Sequence, residues 1–219
     1  MESLCLYVDA PVCSFRPRWS REYQDTHKFP PPSTVFGMLL SLGGVDWQFR
    51  KNYKGNLLAL ATQGEYECSR VFRKFRRMPQ SNAKADPLAS RRPDYQDILT
   101  GLKLWVWLRD RGSANSLTDL VRMALDPDRR GQVNRYGGLS LGESSHLIND
   151  ICIREPSGEG RFLCRDKNGY YQFPIWVSHP RSGDSQSRIG RFSILEPETL
   201  AEPADGDLRW ISIDEYSEE

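Results

Sequence analysis

The sequence of 219 residues predicts an α+β fold, in which a ferredoxin-like (RRM-like) domain precedes a small C-terminal β-rich region. Several short segments alternate apolar and polar residues at every second position, which is typical of half-buried strands. Two other segments repeat apolar residues at helical spacing. In chain order they run strand, helix, strand, strand, helix, strand, which is the βαββαβ order of ferredoxin-like and RNA-recognition domains.

The first predicted strand covers residues 2–9, where leucine and valine alternate with polar or thiol-bearing neighbours. Pro30-Pro31-Pro32 then leads into a helix predicted over 33–42. Proline suits the approach to a helix because its φ is fixed and it has no N–H to leave unpaired. Ser33 or Thr34 is the expected cap of the orphan N–H groups.

The remaining elements of the domain are predicted from shorter patterns. The apolar run over 56–62 predicts the second strand, and the strict alternation over 101–109 predicts the third. Residues 116–125 predict the second helix, because a serine cap is followed by an aspartate three residues later and by one apolar face. Residues 147–153 predict the fourth strand.

The Gly/Ser-rich residues 156–160 predict a boundary between a domain over 1–155 and a β-rich region over 156–219. Residues 181–190 are expected to form a polar loop. Short strands, or segments that pair back onto earlier strands, are expected at 162–163, 170–173, 175–177, 194–195 and 210–213.

Composition indicates a soluble, cytoplasmic protein. The mean hydropathy is −0.61, and no apolar run approaches the length of a membrane span. The first residues lack the basic and apolar segments of a signal peptide. The five cysteines are scattered without a CxxC pair, which predicts neither a disulfide framework nor a zinc site. We therefore expect no membrane contact, no metal and no cofactor.

The net charge of +1 hides a strong asymmetry. Residues 14–92 hold 15 Lys or Arg and 6 Asp or Glu, a balance of +9. Residues 196–219 hold 9 acids and one arginine, a balance of −8. A basic half can bind a polyanion even in a nearly neutral protein. The acidic segment is expected either to meet a basic partner or to keep the protein soluble.

The segment between the first strand and the first helix mixes cations with aromatic rings. Cations hold the nucleic-acid backbone and rings accept stacked bases, so this mixture predicts RNA contact. The alternative is a solvated charged face with its rings in the core. The candidate RNA-binding residues are Arg16, Arg18, Trp19, Arg21, Lys28 and Phe29.

Residues 65–92 connect two predicted strands and are far longer than the tight turn that a minimal ferredoxin-like fold needs. They carry 8 Lys or Arg and 3 acids. This pattern predicts a protruding basic β-hairpin that touches the nucleic-acid backbone, with an ordinary solvated hairpin as the alternative. The candidates are Arg70, Arg73, Lys74, Phe75, Arg76, Arg77, Arg91 and Arg92.

A glycine-rich turn over 137–145 follows the second helix. Its glycine spacing is neither a Walker loop nor a Rossmann fingerprint. Such a turn lets RNA approach backbone N–H groups, although a glycine-rich turn alone is more often structural. The candidates in and before it are Arg135, Tyr136, Gly137, Gly138 and Ser140.

Three ordered stretches carry a resemblance to a known family. They read SFR…R…T.KFPPPSTVFGML, RRPDYQDILTGLKLWVWL over 91–108, and YGGLSLGESSHLIND over 136–150. The chain is similar to CRISPR-associated Cas family five of the RAMP superfamily, and the third stretch resembles the DevS-like branch.

The resemblance implies a non-catalytic subunit of a type I Cascade surveillance complex. Such a subunit grips the 5′ handle of the guide RNA (crRNA) and caps one end of the backbone filament. It also implies that the hairpin lies like a thumb across the guide, and that a glycine-rich loop contacts RNA. The implied partners are the crRNA, backbone subunits of the Cas seven family, the large subunit of the Cas eight family and, through the complex, target DNA.

The sequence predicts no catalytic residue. A metal-free ribonuclease needs a general base and acid near a 2′-OH, and none of His27, His146 and His179 forms a recognisable pair. Two alternatives stay open. One is a metal-independent endoribonuclease that processes the precursor of the guide. The other is a protein-interaction module that binds an acidic partner, for which exposed Trp105 and Trp107 would form the interface.

Overall fold

The computed structural model describes residues 3–17, 20, 25–76, 91–111, 116–177 and 187–214, with backbone alone for 74–76 and 91–94. Within this part of the chain the fold is mixed α/β and dominated by β-sheet. Its helices are α1 (Pro32–Leu42) and α2 (Leu117–Leu125), with 3₁₀ helices at Trp47–Tyr53 and Arg130–Gln132. Its strands are β1 (Leu4–Cys13), β2 (Leu57–Gln63), β3 (Glu67–Arg76), β4 (Arg91–Arg109), β5 (Asp150–Ile153), β6 (Glu159–Arg165), β7 (Tyr171–Trp176), β8 (Arg188–Ile194), β9 (Glu198–Thr199) and β10 (Ile211–Ser212).

The described strands form one ten-stranded sheet in the order β5-β1-β4-β2-β6-β8-β7. All strand pairs in it are antiparallel. The short strands β9 and β10 pair with β6 and β2, and β3 pairs with β4. Because β6 hydrogen-bonds to β2, the strands after residue 156 continue the sheet that the earlier strands begin. No described helix has the length and apolar character needed to cross a membrane.

The two helices form where the sequence predicts them, but their caps differ. Ser116 caps α2 as expected, because its Oγ accepts a hydrogen bond from the backbone N–H of Asp119 at 3.0 Å. Helix α1 instead begins at Pro32, and its N-cap, Pro31, has no side-chain cap bond. The expectation of a Ser33 or Thr34 cap is therefore wrong, because proline at the first helical position removes one of the orphan N–H groups.

The second half of strand β4, over residues 104–108, is buried on both faces. Leu104 and Val106 face the larger core cluster, which includes β1 and α1. Trp105 and Trp107 face a second cluster with Phe162, and the Trp107 and Phe162 rings stack at 5.2 Å. Both tryptophans are buried, so the exposed tryptophan interface expected for a protein-interaction module is wrong. The reason is that segments after residue 156 cover this face of the sheet.

The acidic segment after residue 196 is folded back onto the chain's own arginines as far as residue 214. Arg109 at the end of β4 pairs with Glu202 at 2.5 Å and with Asp205. Arg209 pairs with Glu198 at 2.7 Å and with Asp207 at 2.6 Å. These carboxylates therefore complete the packing around the second cluster. The predicted polar loop over 181–190 is also corrected at its end, because residues 188–190 belong to β8.

His27 follows β1 and packs into the larger core. Its backbone N–H donates to the carbonyl of Phe15 at 2.9 Å, and its ring lies edge-on to Phe173 with centroids 5.0 Å apart. Burial lowers the pKa of His27 below its ordinary value of 6.5, and the nearby charge of Asp25 opposes that shift.

The lowered pKa of His27 predicts acid sensitivity. Its folded pKa lies below the unfolded value, so the unfolded state takes up the proton first and the free energy of unfolding falls as pH drops below 6.5. Denaturant unfolding of the wild type and of His27→Gln, above and below that pH, measures the difference. We expect a smaller loss in the variant. An equal loss in both proteins would contradict the assignment to His27.

Candidate nucleic-acid interface

Strands β3 and β4 pair as a long antiparallel hairpin. Their register runs from Glu67 opposite Thr100 to Arg76 opposite Arg91. Strand β1 pairs with β4 only as far as Leu99, on the opposite edge from β3. The hairpin beyond that point therefore extends past β1, and it carries the basic run that the sequence singled out.

One face of the hairpin is exposed and carries alternating charged and aromatic pairs. Arg70 and Asp97 lie opposite each other and form an ion pair at 3.0 Å. Next to them, the rings of Phe72 and Tyr95 meet edge to face with centroids 5.4 Å apart. Both rings are more than half exposed, at 57% and 51%. The exposed aromatic pair is a feature that the sequence interpretation did not include among the site residues.

The other face of the hairpin holds a polar group, the Gln96 cluster, in which Ser14 and Gln96 are buried and the side chains of Arg73 and Glu143 are about one third exposed. Gln96 is 0% exposed, and its Nε2 donates to Glu143 Oε1 at 2.7 Å and to Ser14 Oγ at 3.3 Å. The Arg73 guanidinium donates to Gln96 Oε1 and to Glu143 Oε2, the latter at 3.2 Å. The cluster therefore joins the hairpin to the end of β1 and to the glycine-rich turn.

The glycine-rich turn packs tightly against β1. Gly142 has φ +94°, and a Cβ there would collide with the carbonyl oxygen of Ser14. Ser14 and Gly142 also form a parallel bridge, and Ser140 bridges to Leu147. Only glycine fits at Gly142, because a side chain would separate the two segments. The turn is thus held in place from both sides, by backbone contact and by Glu143.

Arg135 and Tyr136 lie immediately before this turn and are exposed, with Tyr136 86% exposed. Gly137 has φ +76°, with open space around the position of a Cβ. Gly138 lies against the side chain of Leu147, and a Cβ at Gly138 would be only 2.7 Å from that side chain. Residues 135–138 are therefore exposed on the segment that leads to Glu143 of the Gln96 cluster.

The candidate residues before α1 differ in their exposure to solvent. Arg16 is exposed and donates to the carbonyl of Ser20 at 3.0 Å. Lys28 is exposed as well, and its carbonyl accepts a hydrogen bond from the hydroxyl of Tyr66. Burial raises the pKa of Tyr66 to about 12, so this hydroxyl stays a donor.

Phe29 is the clear correction among the predicted site residues. It is 0% exposed, and its ring lies 6.5 Å from that of Phe173 in the larger core. A fully buried ring has no face for a base, so Phe29 belongs to the core.

The other predicted residues are placed only by backbone or lie outside the described residues. The hairpin strands include the backbone of Lys74, Phe75, Arg76, Arg91 and Arg92. Outside the described residues are Arg18, Trp19, Arg21 and Arg77.

The two described histidines lie in different surroundings. His27 packs against Phe173, as described above. The backbone N–H of His146 donates to the carbonyl of Glu143 at 2.9 Å, and its buried Nδ1 has no hydrogen-bond partner within the described chain. Burial lowers the pKa of His146, with the nearby Arg73 charge acting in the same direction and Glu143 against it. The described residues contain no group of His, Cys, Asp and Glu able to hold a metal ion.

The comparisons with known proteins agree with this fold. No protein-family model matches the chain. The fold is similar to that of a chain in the solved structure of a CRISPR RNA-guided surveillance complex, at TM-score 0.63 and 12% identity over 93% of this chain and 95% of that chain. A crystal structure of a Cas protein gives TM-score 0.48 at 15% identity, over 91% of this chain and 95% of the other. The TM-score of 0.63 shows that this chain shares its fold with a chain of that complex.

The comparison of sequences identifies the family. The chain is 34% identical to the CRISPR-associated protein Cas5 of Myxococcus xanthus (strain DK1622) over 208 residues, which covers 91% of this chain and 92% of the relative. The chain belongs to the Cas5 family of CRISPR-associated proteins. The family resemblance of the three sequence stretches is thereby confirmed.

The close approach at Gly142 predicts a large loss of stability for Gly142→Ala. Gly137→Ala is the matched control, because it has the same left-handed φ without a neighbour. We expect the control to lose about 1–2 kcal/mol from its backbone conformation. Gly142→Ala should lose at least about 1 kcal/mol more from the collision with Ser14. Denaturant unfolding measures both, and equal losses would show that the turn is not held against β1.

Proposed function

We propose that this chain is the non-catalytic subunit that grips the 5′ handle of the crRNA in a type I CRISPR surveillance complex. In that role it caps the backbone filament of Cas seven family subunits and contacts the large subunit of the Cas eight family. It meets target DNA only through the complex. Membership of the Cas5 family and the fold shared with a surveillance-complex chain support this proposal.

The observation that carries the proposal is the connection between the basic hairpin and the glycine-rich turn. The Gln96 cluster joins three segments that are far apart in sequence: the end of β1, the hairpin and the turn. Two of them carry exposed aromatic rings, Phe72 with Tyr95 on the hairpin and Tyr136 before the turn. Proteins that bind single-stranded nucleic acid combine cations along the backbone with such rings for the bases.

The ion pairs indicate which of the predicted cations contact phosphate. Arg73 is engaged with Gln96 and Glu143, so we assign it to positioning the turn against the hairpin. Arg70 is held by Asp97, which offsets its charge. We therefore expect phosphate contact chiefly from the cations at the far end of the two paired strands, namely Lys74, Arg76, Arg91 and Arg92, and from Arg77, which follows β3 in the sequence.

We also infer that the first 155 residues form a ferredoxin-like unit with the hairpin as an extension. The order of the strands in the sheet supports this inference. When β3 is counted as part of the hairpin extension, the other four strands lie in the order β5-β1-β4-β2, which is the order of a ferredoxin-like sheet. Helix α1 connects β1 to β2, and α2 connects β4 to β5, as in the split βαβ pattern. The domain boundary at residue 155 stays a prediction.

We expect the cations and the aromatic rings of the hairpin to affect RNA binding in different ways. Lys74→Ala/Arg76→Ala/Arg77→Ala should weaken binding to handle RNA and lower the salt slope by about 1 for each phosphate that the variant no longer neutralises. Phe72→Ala/Tyr95→Ala should weaken binding by about 1–3 kcal/mol per stacked base and leave the salt slope unchanged. Fluorescence anisotropy over a salt series measures both.

Tyr170→Ala is the matched control for the aromatic variant, because Tyr170 is 88% exposed and belongs neither to the hairpin strands nor to the glycine-rich turn. We expect it to bind RNA as the wild type does. An equal loss in this control, or the absence of RNA binding by the wild type, would contradict the proposal.

The assignment as a non-catalytic subunit predicts that handle and precursor RNA stay intact on incubation with the protein and EDTA. The edge-on packing of the His27 ring against Phe173 supports it, because that contact occupies part of the ring. The lowered pKa of His146 disfavours the role of general acid and leaves that of general base open, so the two histidine variants are part of the test. Gel analysis of the binding samples measures cleavage. Specific cleavage that His27→Ala or His146→Ala abolishes would replace the proposal with an endoribonuclease.

A further inference from the structure

An open pocket of about 470 Å³ lies between α1, the first 3₁₀ helix, residues 134–136 and the end of β7. Its floor is apolar and includes Phe36 and Trp176, whose rings lie 6.3 Å apart. Exposed aromatic rings, those of Trp47 and Tyr136, stand at its rim. The pocket therefore opens beside the glycine-rich turn, directly before which Tyr136 lies.

Helix α1 keeps this pocket open with a glycine. Gly37 is exposed in the middle of the helix and lines the pocket, and a Cβ there would have nothing within 4 Å. Glycine is among the poorest residues in a helix interior, and no turn or close backbone approach requires one here. The space above Gly37 is where a longer side chain would project into the pocket.

The pocket is also positively charged. Arg50 and Arg135 line it, and the Arg50 guanidinium lies 4.4 Å from the ring centre of Trp176. The ammonium of Lys54, which is outside the lining, lies 5.4 Å from the same ring centre. The acid in the lining, Asp46, accepts a hydrogen bond from the backbone N–H of Gln48 as the cap of the 3₁₀ helix. The buried indole N–H of Trp176 has no hydrogen-bond partner within the described chain.

We propose that this pocket binds one base of single-stranded RNA, splayed out of the handle and stacked on Trp47 or Tyr136, with its phosphate at Arg135. The proposal rests on the proposed function and adds a base-specific subsite to it. An apolar protein side chain would fill the floor but would not use the cations. A nucleotide matches both, because a flat ring and an anionic phosphate lie a few ångströms apart in one group.

Gly37→Leu tests the proposal because it fills the pocket from an exposed position. Gly37→Ala is its control, with the same removal of glycine but little added volume. We expect both variants to keep or raise the melting temperature, because alanine and leucine favour helix over glycine. The second change is made in the RNA, with a set of handle RNAs that each carry one abasic site at a different position. Each protein variant combined with each abasic RNA then forms a double-mutant cycle.

With the wild type, removal of one particular base should weaken binding about tenfold or more, as the loss of a stacked base does. Gly37→Leu should weaken binding of intact RNA by a similar factor and abolish the sensitivity to that abasic site. Trp47→Ala/Tyr136→Ala should act in the same way, because it removes both rings at the rim, and the Gly37→Ala control should stay close to the wild type.

Three results would overturn the proposal of a base pocket. They also distinguish its failure from the failure of the proposed function, the binding of the crRNA handle. If Gly37→Leu binds RNA as the wild type does, the handle is bound elsewhere and the pocket assignment alone is wrong. If Gly37→Leu binds RNA normally but fails to assemble with the protein subunits of the complex, the pocket holds a protein side chain. If the wild type binds no handle RNA, both proposals are wrong.

Discussion

Burial of the second half of β4 on both faces is the constraint on which the rest of the structure depends. This strand pairs with β1 on one edge and with β2 and β3 on the other, and its alternating side chains fill two separate clusters. Apolar surface buried on two faces holds a strand far more firmly than surface buried on one. The projecting hairpin is a continuation of this strand, so its base is as rigid as the core.

The glycine-rich turn gains its position from the same strand by polar contacts. Gln96 lies in β4, and its side-chain amide reaches both Ser14 and Glu143. A fully buried amide whose hydrogen bonds are satisfied specifies one arrangement, because each displaced partner leaves a polar group without water or protein to replace it. The turn, the hairpin and the end of β1 are thus fixed relative to one another before any ligand arrives.

Local patterns in the sequence predicted the elements, and contacts between distant residues decided the errors. Alternation and helical spacing placed β1, α1, β2, β4 and α2, and the charge pattern of residues 65–92 predicted a hairpin. The burial of Phe29 and Trp105 depended on what segments after residue 156 cover, which no short-range pattern contains. The Gln96–Glu143 contact spans 47 positions of sequence and joins residue types that are usually solvated.

The two ends of β4 differ in charge. At 19 residues the strand is about 60 Å long. Its first half is one strand of the cationic hairpin, and its last residue, Arg109, pairs with the carboxylates of Glu202 and Asp205. One continuous strand thus separates the cationic and anionic regions of the molecule, which gives it an electric dipole. In the field of an anionic polymer, such a dipole favours the orientation in which the hairpin faces the polymer.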